Sequence, residues 1–354
     1  MAKERANIYT IAKEAGVSPA TVSRVMTNSA RVSAEKRERV EEVIRKYKYT
    51  PNALAQGLST AKTHTIGLMI TDISNPFYAT VASACEREAN RLGYMLLVLC
   101  SLSDYELEKR QLMKLYEQHV DAILIVGGKV DHESADEEYV EMLNQMAAVT
   151  PIIATGRPTG AETLQVSLDE GDCMDQAMEY LIGLGHRKIS LIGGFKFTKS
   201  TFEKRVRYRA ALRRHEIPYR EDYVFETDYT NESGYECMKR LLEREEDMPT
   251  AVIAINDFTA SGIIQMASEK GLSVPEDLSV ISFDDTYLAE VVTPRLTSVG
   301  CDYAEFARML METAVRAGDG EEMEPVQIVP VRMTVRNSCR PLAQEESRTE
   351  DFEE

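Results

Sequence analysis

Residues 7–26, NIYTIAKEAGVSPATVSRVM, predict two short helices joined by a tight turn. In the first half, apolar side chains recur at helical spacing, at Ile8, Ile11, Ala12 and Ala15. Gly16 is expected to end this helix, and Ser18 followed by Pro19 is a typical start for the next one. In the second helix, the buried face would consist of Val22, Val25 and Met26. The stretch therefore indicates a helix-turn-helix, a unit whose second helix can enter the major groove of DNA.

The outward face of the second helix has small and polar groups and one guanidinium, on Ala20, Thr21, Ser23 and Arg24. Such a face suits the edges of base pairs in the major groove. An ordinary helical hairpin is the alternative, because turns containing glycine are common between helices. A third amphipathic helix, opening at Ser33 and turning Val40, Val43, Ile44 and Tyr47 inward, favours the DNA-binding interpretation.

Charge is distributed unevenly along the 354 residues. The formal net charge is −17, yet residues 1–60 contain 11 Lys or Arg against 6 Glu and no Asp. The basic head is a candidate phosphate-binding surface, while the acidic remainder should repel DNA. The tail at residues 341–354, which includes AQEESRTEDFEE, is expected to be disordered.

The six cysteines form no CxxC pair and have no metal-ligand spacing, so each is expected to be a small buried apolar group. The N-terminus is polar, and no apolar run approaches the length of a membrane span. We therefore expect a cytoplasmic protein without membrane contact, metal or cofactor.

From residue 65 onward, apolar runs alternate with helical segments, which predicts βαβ units and parallel sheets covered on both faces. The runs lie at residues 65–70, 94–99, 122–126, 151–154, 188–193, 223–226, 250–255 and 278–283. The alternation of strands and helices begins again after Val166. We therefore predict two doubly wound parallel-sheet lobes, similar to periplasmic binding proteins, behind an all-α head.

Polar clusters follow these runs, where the carboxyl ends of parallel strands form binding sites. They occupy residues 72–78, 193–204, 256–257 and 284–285. A cleft lined in this way suits a small polar ligand such as a sugar, although each of these residues could instead cap a helix.

No catalytic constellation is recognisable. The Gly-Gly pairs lack the GxGxxG spacing, no Walker sequence occurs, and the histidines have no patterned nucleophile partner. Asp284 and Asp285 could be imagined as an acid/base pair, but adjacent residues at a strand end usually point apart. The sequence predicts no enzyme.

Seven stretches in order resemble the LacI/GalR family of bacterial transcriptional regulators, over nearly the whole chain from Asn7 to about Arg340. They are IYTIAKEAGVSPATVSRVM, YTPNALAQGLS, HTIGLMITDISNPFY, LGHRKISLIGG, DYTNESGYE, PTAVIAINDFTASG and LSVISFDDTYLAEVVTPRLTSV. The resemblance implies a homodimeric repressor whose two heads bind a palindromic operator and whose cores bind a small-molecule effector, most simply a sugar or sugar derivative.

The resemblance also implies residue roles. The implied DNA-binding residues are Asn7, Tyr9, Ser18, Pro19, Ala20, Thr21, Ser23, Arg24, Arg31, Tyr49, Asn52, Ala55 and Leu58. The implied effector-binding residues are Asn75, Phe77, Tyr78, Lys204, Tyr229, Asn256 and Asp284. Residues 52–58 match a hinge helix whose leucine wedges into the minor groove, although the sequence pattern alone is equally consistent with a plain linker.

Two departures from the family pattern concern the effector site. In place of the arginine of R-x-x-G-[YFW] the chain has Lys204, with Arg207 in the glycine's position, and an aspartate common after the fourth strand is Gly156. Lysine cannot grip a ligand in the bidentate manner of a guanidinium.

The predicted organisation follows from these assignments. The head spans residues 1–49, the hinge and linker residues 50–64, and the core residues 65–340. The first lobe is predicted at about residues 65–160 and 294–322, and the second at about residues 161–293 and 323–340. Alternatives are a regulator controlled by a protein partner and a two-lobed sugar-binding receptor; the basic head argues against the receptor.

The hinge assignment predicts that Leu58→Ala weakens operator binding and leaves effector binding intact, because only the wedge into the base step is removed. Titrating operator and effector separately onto the variant measures both affinities. Unchanged operator affinity would contradict the hinge assignment.

Overall fold

The computed structural model describes residues 6–26, 32–47, 62–134, 136–244 and 248–342. The chain divides into two units, Met1–Thr63 and His64–Glu354. Among the predicted site residues, those outside the described ranges are Arg31, Tyr49, Asn52, Ala55 and Leu58. The tail from residue 343 also lies outside them.

The first unit contains the predicted helix-turn-helix and the third helix. Its helices are α1 (Ile8–Ala15), α2 (Pro19–Met26) and α3 (Ala34–Tyr47). Asn7 caps α1, since its side-chain oxygen accepts from the Thr10 amide at 3.0 Å. Gly16 ends α1 in the left-handed conformation, with φ 63°, which glycine adopts without steric cost.

A small apolar core joins the three helices of the head. It consists of Ile11, Ala12, Ala15, Val22, Val25, Val40 and Val43. The prediction that Tyr47 lies inward is wrong, because this ring is 41% exposed. Its hydroxyl donates instead to Glu14, which also pairs with Lys46, so the end of α3 is tied to α1 by polar contacts.

The second unit alternates strands and helices. Its strands are β1 (Thr65–Ile70), β2 (Met95–Cys100), β3 (Ala122–Val126), β4 (Ile152–Ala154), β5 (Leu164–Leu168), β6 (Ile189–Ile192), β7 (Val224–Phe225), β8 (Ala251–Ala254), β9 (Ser279–Asp284), β10 (Thr297–Cys301), β11 (Val326–Val329) and β12 (Val331–Thr334). Its helices are α4 (Pro76–Leu92), α5 (Tyr105–Glu117), α6 (Glu137–Ala147), α7 (Glu170–Gly183), α8 (Lys199–Arg214), α9 (Asn231–Leu242), α10 (Asp257–Glu269), α11 (Tyr287–Val291) and α12 (Tyr303–Gly318).

Among the described residues these strands form two six-stranded sheets. The first has the order β11-β5-β4-β3-β1-β2, and all its neighbours run parallel. The second has the order β12-β10-β9-β8-β6-β7 and is parallel except for the edge strand β12, which runs antiparallel to β10. Central strands such as β1 and β3 are buried along their whole length, as sheets covered on both faces require.

The lobe boundaries are corrected by the strand pairing. β5 lies in the first sheet, so the chain crosses to the second lobe at residue 169, later than the predicted residue 161. β10 pairs with β9, so the return follows residue 301 and not residue 293. β11 pairs with β5, which moves the last crossing from about residue 323 to residue 330. The first lobe is therefore residues 65–168 and 302–329.

The cysteine prediction is confirmed for four thiols, which are buried, namely Cys85, Cys173, Cys237 and Cys301. Cys100 and Cys339 are half-buried. All six are free.

The head core predicts that Ile11→Ala selectively unfolds the first unit. Ile11 is fully buried, and truncating a buried isoleucine costs about 2–5 kcal/mol, a large fraction of the stability of so small a unit. Hydrogen exchange read by mass spectrometry should show lost protection in α1 to α3 and unchanged protection in the lobes.

The matched control is Tyr9→Ala on the same helix, since that side chain is 70% exposed. It should leave the protection of the head unchanged. Full protection of the head in Ile11→Ala would contradict the assigned core.

Candidate functional site

The head presents most of its described DNA-binding candidates to solvent. On α2, Ala20 and Arg24 are exposed, and Thr21 and Ser23 are half-buried on the side away from Val22 and Val25. At the start of the helix, Ser18 is exposed and Pro19 half-buried, while Asn7 and Tyr9 are exposed at α1.

Ser18 fixes the beginning of α2. Its hydroxyl oxygen accepts from the Thr21 amide at 3.2 Å and lies 3.0 Å from the Thr21 hydroxyl. The same amide also donates to the Ser18 carbonyl at 2.9 Å, so both oxygens of Ser18 hold the first turn. Capping therefore accounts for the serine at position 18 without any contact to DNA. The same holds for Asn7, whose side-chain oxygen accepts from the Thr10 amide.

A cavity of about 760 Å³ lies between the two lobes, at the carboxyl ends of both sheets. Its size falls in the range of small-molecule binding sites. All the residues assigned to effector binding from the sequence lie on its walls: Asn75, Phe77, Tyr78, Lys204, Tyr229, Asn256 and Asp284. The structure thus brings together side chains from both lobes that are far apart in the sequence.

Two of these residues also cap helices. The Asn75 side-chain oxygen accepts from the Phe77 amide at 3.0 Å at the start of α4. The Asn256 oxygen accepts from the Thr259 amide at 2.7 Å at the start of α10, and its amide donates to the Tyr229 carbonyl at 3.2 Å. Asn75 and Asn256 therefore both cap helices, and both also face the cavity.

Aromatic rings line the cavity from both sides. Phe77 meets Tyr78 edge to face, with ring centroids 5.2 Å apart. Across the cavity Phe195 stacks on Phe197 at 5.0 Å and meets the Tyr229 ring at 5.9 Å. Phe195 and Phe197 were not assigned a role from the sequence, although the FKF pattern directly after Gly193-Gly194 is a visible signal of apolar groups at a strand end.

Gly127 is required by the packing of this site. A Cβ atom there would lie 2.4 Å from the Tyr78 hydroxyl, and its φ of 70° is unfavourable for other residues. The pair Gly127-Gly128, which lacks a nucleotide-binding spacing, therefore serves close packing, because a Cβ atom at Gly128 would lie 2.4 Å from a carboxylate oxygen of Glu108.

Lys204, which replaces the family arginine, is only 6% exposed and forms an ion pair with Glu170 at the start of α7. Burial acts to lower the pKa of Lys204, but surrounding negative charges, first of all Glu170, outweigh burial and raise it. Arg207 does not substitute for Lys204, because it is half exposed and pairs with Asp175 at 3.1 Å.

The two lobes are also joined directly beside the cavity. The Ser200 hydroxyl of α8 donates to the Asp131 carboxylate of the first lobe at 2.7 Å. The next residues form a short antiparallel bridge between His132 and Thr198, and the Glu133 amide donates to the Phe197 carbonyl at 2.9 Å. We call these contacts the interlobe latch. Burial raises the pKa of Asp131 to about 7.

Asp284 and Asp285 point apart, as expected for adjacent residues at a strand end. The Asp284 side chain faces the cavity, whereas Asp285 forms an ion pair with Arg336 at 2.7 Å. The neighbouring Asp257 is buried and accepts hydrogen bonds from Ser282, Ser298 and Thr286.

Within the described part of the chain, no group of His, Cys, Asp and Glu side chains could hold a metal ion. In the same ranges, no helix has the length and apolarity needed to cross a membrane.

The fold and the site define a helix-turn-helix DNA-binding protein with a two-lobed core built around a ligand-sized cavity. Residues 7–52 match the model of bacterial regulatory proteins of the lacI family, and residues 178–339 match a periplasmic binding protein-like domain. The chain is 34% identical to catabolite control protein A of Priestia megaterium over 335 residues, which cover 94% of this chain and 99% of that protein.

A second relative is the HTH-type transcriptional regulator DegA of Bacillus subtilis, 34% identical over 339 residues covering 96% of this chain and 99% of that protein. Among solved structures, the lac repressor dimer bound to operator and the anti-inducer ONPF matches with a TM-score of 0.84 at 25% identity, covering 95% of this chain and all of that one. The cellobiose complex of the transcriptional regulator CelR matches with a TM-score of 0.68 at 29% identity, covering 94% of this chain and all of that one. The chain belongs to the LacI family of bacterial regulatory proteins and is a transcriptional regulator of that type.

The raised pKa of Asp131 predicts a stability difference between about pH 6 and pH 8. The folded chain holds this proton to higher pH than the unfolded chain, so the stabilisation is complete below the ordinary carboxyl pKa and is lost as pH rises through about 7. Wild-type protein should lose about 1 kcal/mol of unfolding free energy over this interval relative to Asp131→Asn, whose amide does not titrate. Urea unfolding at both pH values measures the difference.

Glu106→Gln is the control, because it removes an exposed carboxyl of the same lobe and should follow the wild-type curve. Identical pH dependence of wild type and Asp131→Asn would show that Asp131 titrates normally.

Proposed function

We propose that the protein is a cytoplasmic repressor that binds a palindromic DNA operator as a homodimer and responds to a small molecule in the interlobe cavity. The structure of the head supports the DNA-binding part of this proposal. Its α2 is packed by Val22 and Val25 and turns Arg24 and the small polar side chains to solvent. A helix anchored in this way can place a guanidinium against base edges in the major groove.

The cavity supports the effector part of the proposal. It combines hydrogen-bonding side chains with aromatic faces, which suits the hydroxyls and the flat face of a sugar ring. The two lobes contribute opposite walls, so a ligand that touches both would change the equilibrium between their arrangements. A regulator controlled by a protein partner is the alternative, but a preformed cavity of this size favours a small molecule.

The experiment is titration of the full chain onto a pool of random palindromic DNA at two salt concentrations, followed by sequencing of the retained DNA. Enrichment of one palindrome, with affinity that falls steeply as salt rises, would support phosphate-anchored specific recognition. Absence of any enriched palindrome would contradict the proposed operator binding.

The assignment of α2 predicts that Arg24→Ala costs about 1–3 kcal/mol of binding to the enriched palindrome and relaxes its sequence preference, since a contact to base edges is lost. Repeating the selection with the variant measures both changes.

Arg45→Ala is the matched control, because it removes the same charge from the exposed side of α3 in the same head. It should weaken binding evenly across sequences or leave it unchanged. An unaltered preference in Arg24→Ala would contradict the role of α2.

A further inference from the structure

The covalent connections between the lobes lie at one edge of each sheet. The chain crosses from lobe to lobe after β5, β10 and β11. β11 and β5 are the outermost pair of the first sheet, and β10 lies next to the edge strand β12 of the second. The strands toward the other edges are therefore held to the opposite lobe by noncovalent contacts alone.

The interlobe latch lies away from these crossings. Its half in the first lobe follows β3, which is two strands from β5, or about 10 Å at the usual spacing of neighbouring strands. Its half in the second lobe follows β6, which is three strands from β10, or about 14 Å. The latch residues that line the cavity are Asp131, His132, Phe197, Thr198 and Ser200.

Main-chain groups form the centre of the latch. His132 and Thr198 pair as an antiparallel bridge, and the Glu133 amide donates to the Phe197 carbonyl at 2.9 Å. This is the pairing of neighbouring antiparallel strands, which brings two chain segments to about 5 Å from one another. The two lobes are thus in direct contact at a second place, separate from the crossings.

Side chains add to the same contact. The Ser200 hydroxyl is hydrogen-bonded to the Asp131 carboxyl at 2.7 Å, and the His132 ring meets the Phe197 ring edge to face, with centroids 4.9 Å apart. Aromatic rings favour this arrangement. Every contact of the latch joins protein groups directly, so the closed arrangement of the lobes has stabilising contacts of its own.

Opening of the cavity would separate the two halves of the latch. In a hinge motion the connecting segments absorb the change in conformation while the lobes move as bodies. Because the latch lies about 10–14 Å from those segments, rotation about them moves its halves apart. The main-chain bonds and the ring contact would then be lost together.

We propose that the interlobe latch holds the lobes closed over the cavity, and that it must break before a ligand can enter or leave. This inference rests on the proposed function, because it assigns the control of access to the same cavity. The latch makes closure a property of the protein, to which a ligand that contacts both walls adds.

The first test measures access to the cavity with a fluorescent reporter. The chain contains no tryptophan, so a tryptophan introduced at Phe258, which lines the cavity, reports on this space alone. Quenching of its emission by acrylamide is measured in the full chain carrying Phe258→Trp. Access should be restricted while the latch is intact, and a broken latch should raise the quenching constant several-fold.

Two variants break the latch from opposite lobes in the reporter background. Glu133→Pro removes the amide that donates to Phe197, and the preceding His132, with φ −79° and ψ 144°, already has the conformation that proline requires before it. Ser200→Ala removes the hydroxyl bonded to Asp131. Glu133→Ala is the matched control, because it keeps the amide and removes only an exposed side chain.

Both latch variants should raise the quenching constant, and Glu133→Ala should match the parent. A thermal melt shows whether each variant is folded. Ser200→Ala, which removes a single oxygen atom, decides the matter if the proline variant is not.

A disulfide tests the closed arrangement by itself. Residues paired across antiparallel strands have Cα atoms about 4.5–5.5 Å apart, within the range that a disulfide spans. His132→Cys combined with Thr198→Cys should therefore form this bond on mild oxidation in air without any sugar, and peptide mapping by mass spectrometry separates it from the six native thiols. In the reporter background, the oxidised protein should be quenched less than the reduced one.

Equal quenching of the parent and both folded latch variants would overturn the inference, as would failure of the disulfide to form. These measurements require neither sugar nor DNA, so they are independent of the selected palindrome. A protein that enriches a palindrome but shows no effect of the latch variants keeps the proposed function and loses the role of the latch. A protein with a working latch that enriches no palindrome loses the proposed operator binding instead.

Discussion

The site depends on one constraint, that parallel strands end at the same edge of their sheet. Each lobe has such an edge, and the chain crosses between the lobes after β5, β10 and β11, so both edges face one cavity. The loops at these edges must supply caps for the helices that follow, which is why Asn75 and Asn256 have a structural and a ligand-facing role together. The geometry of the cavity is therefore a consequence of the fold.

One ion pair lies in the wall of the cavity. In the pair of Lys204 and Glu170, the lysine occupies the position where the family pattern has an arginine. Breaking such a pair would leave an uncompensated buried charge, so the lysine is held where it is. The interlobe latch adds a second carboxylate, Asp131, at the opposite wall.

Much of the fold could be predicted because its signals are local. The helices of the head follow the spacing of Ile11 and Val22, and the buried strands are continuous apolar runs. The lobe boundaries could not be predicted, because the sheet membership of β5, β10 and β11 is set by pairing across the fold. The effector candidates were predicted from strand ends and from family resemblance, and all seven of them line the cavity. The pairing of Lys204 with Glu170 had no local signal, since 34 residues separate them in the sequence.

The most direct test of the account measures whether the cavity and the head are coupled. The affinity of the full chain for its selected palindrome would be determined by fluorescence anisotropy, with and without a saturating amount of the sugar that binds most tightly. The account predicts a shift of about 5-fold to 150-fold, the usual range for coupled sites, and an equal effect of DNA on ligand affinity. Superimposable DNA-binding curves would show that occupation of the cavity does not control the head and would contradict the account.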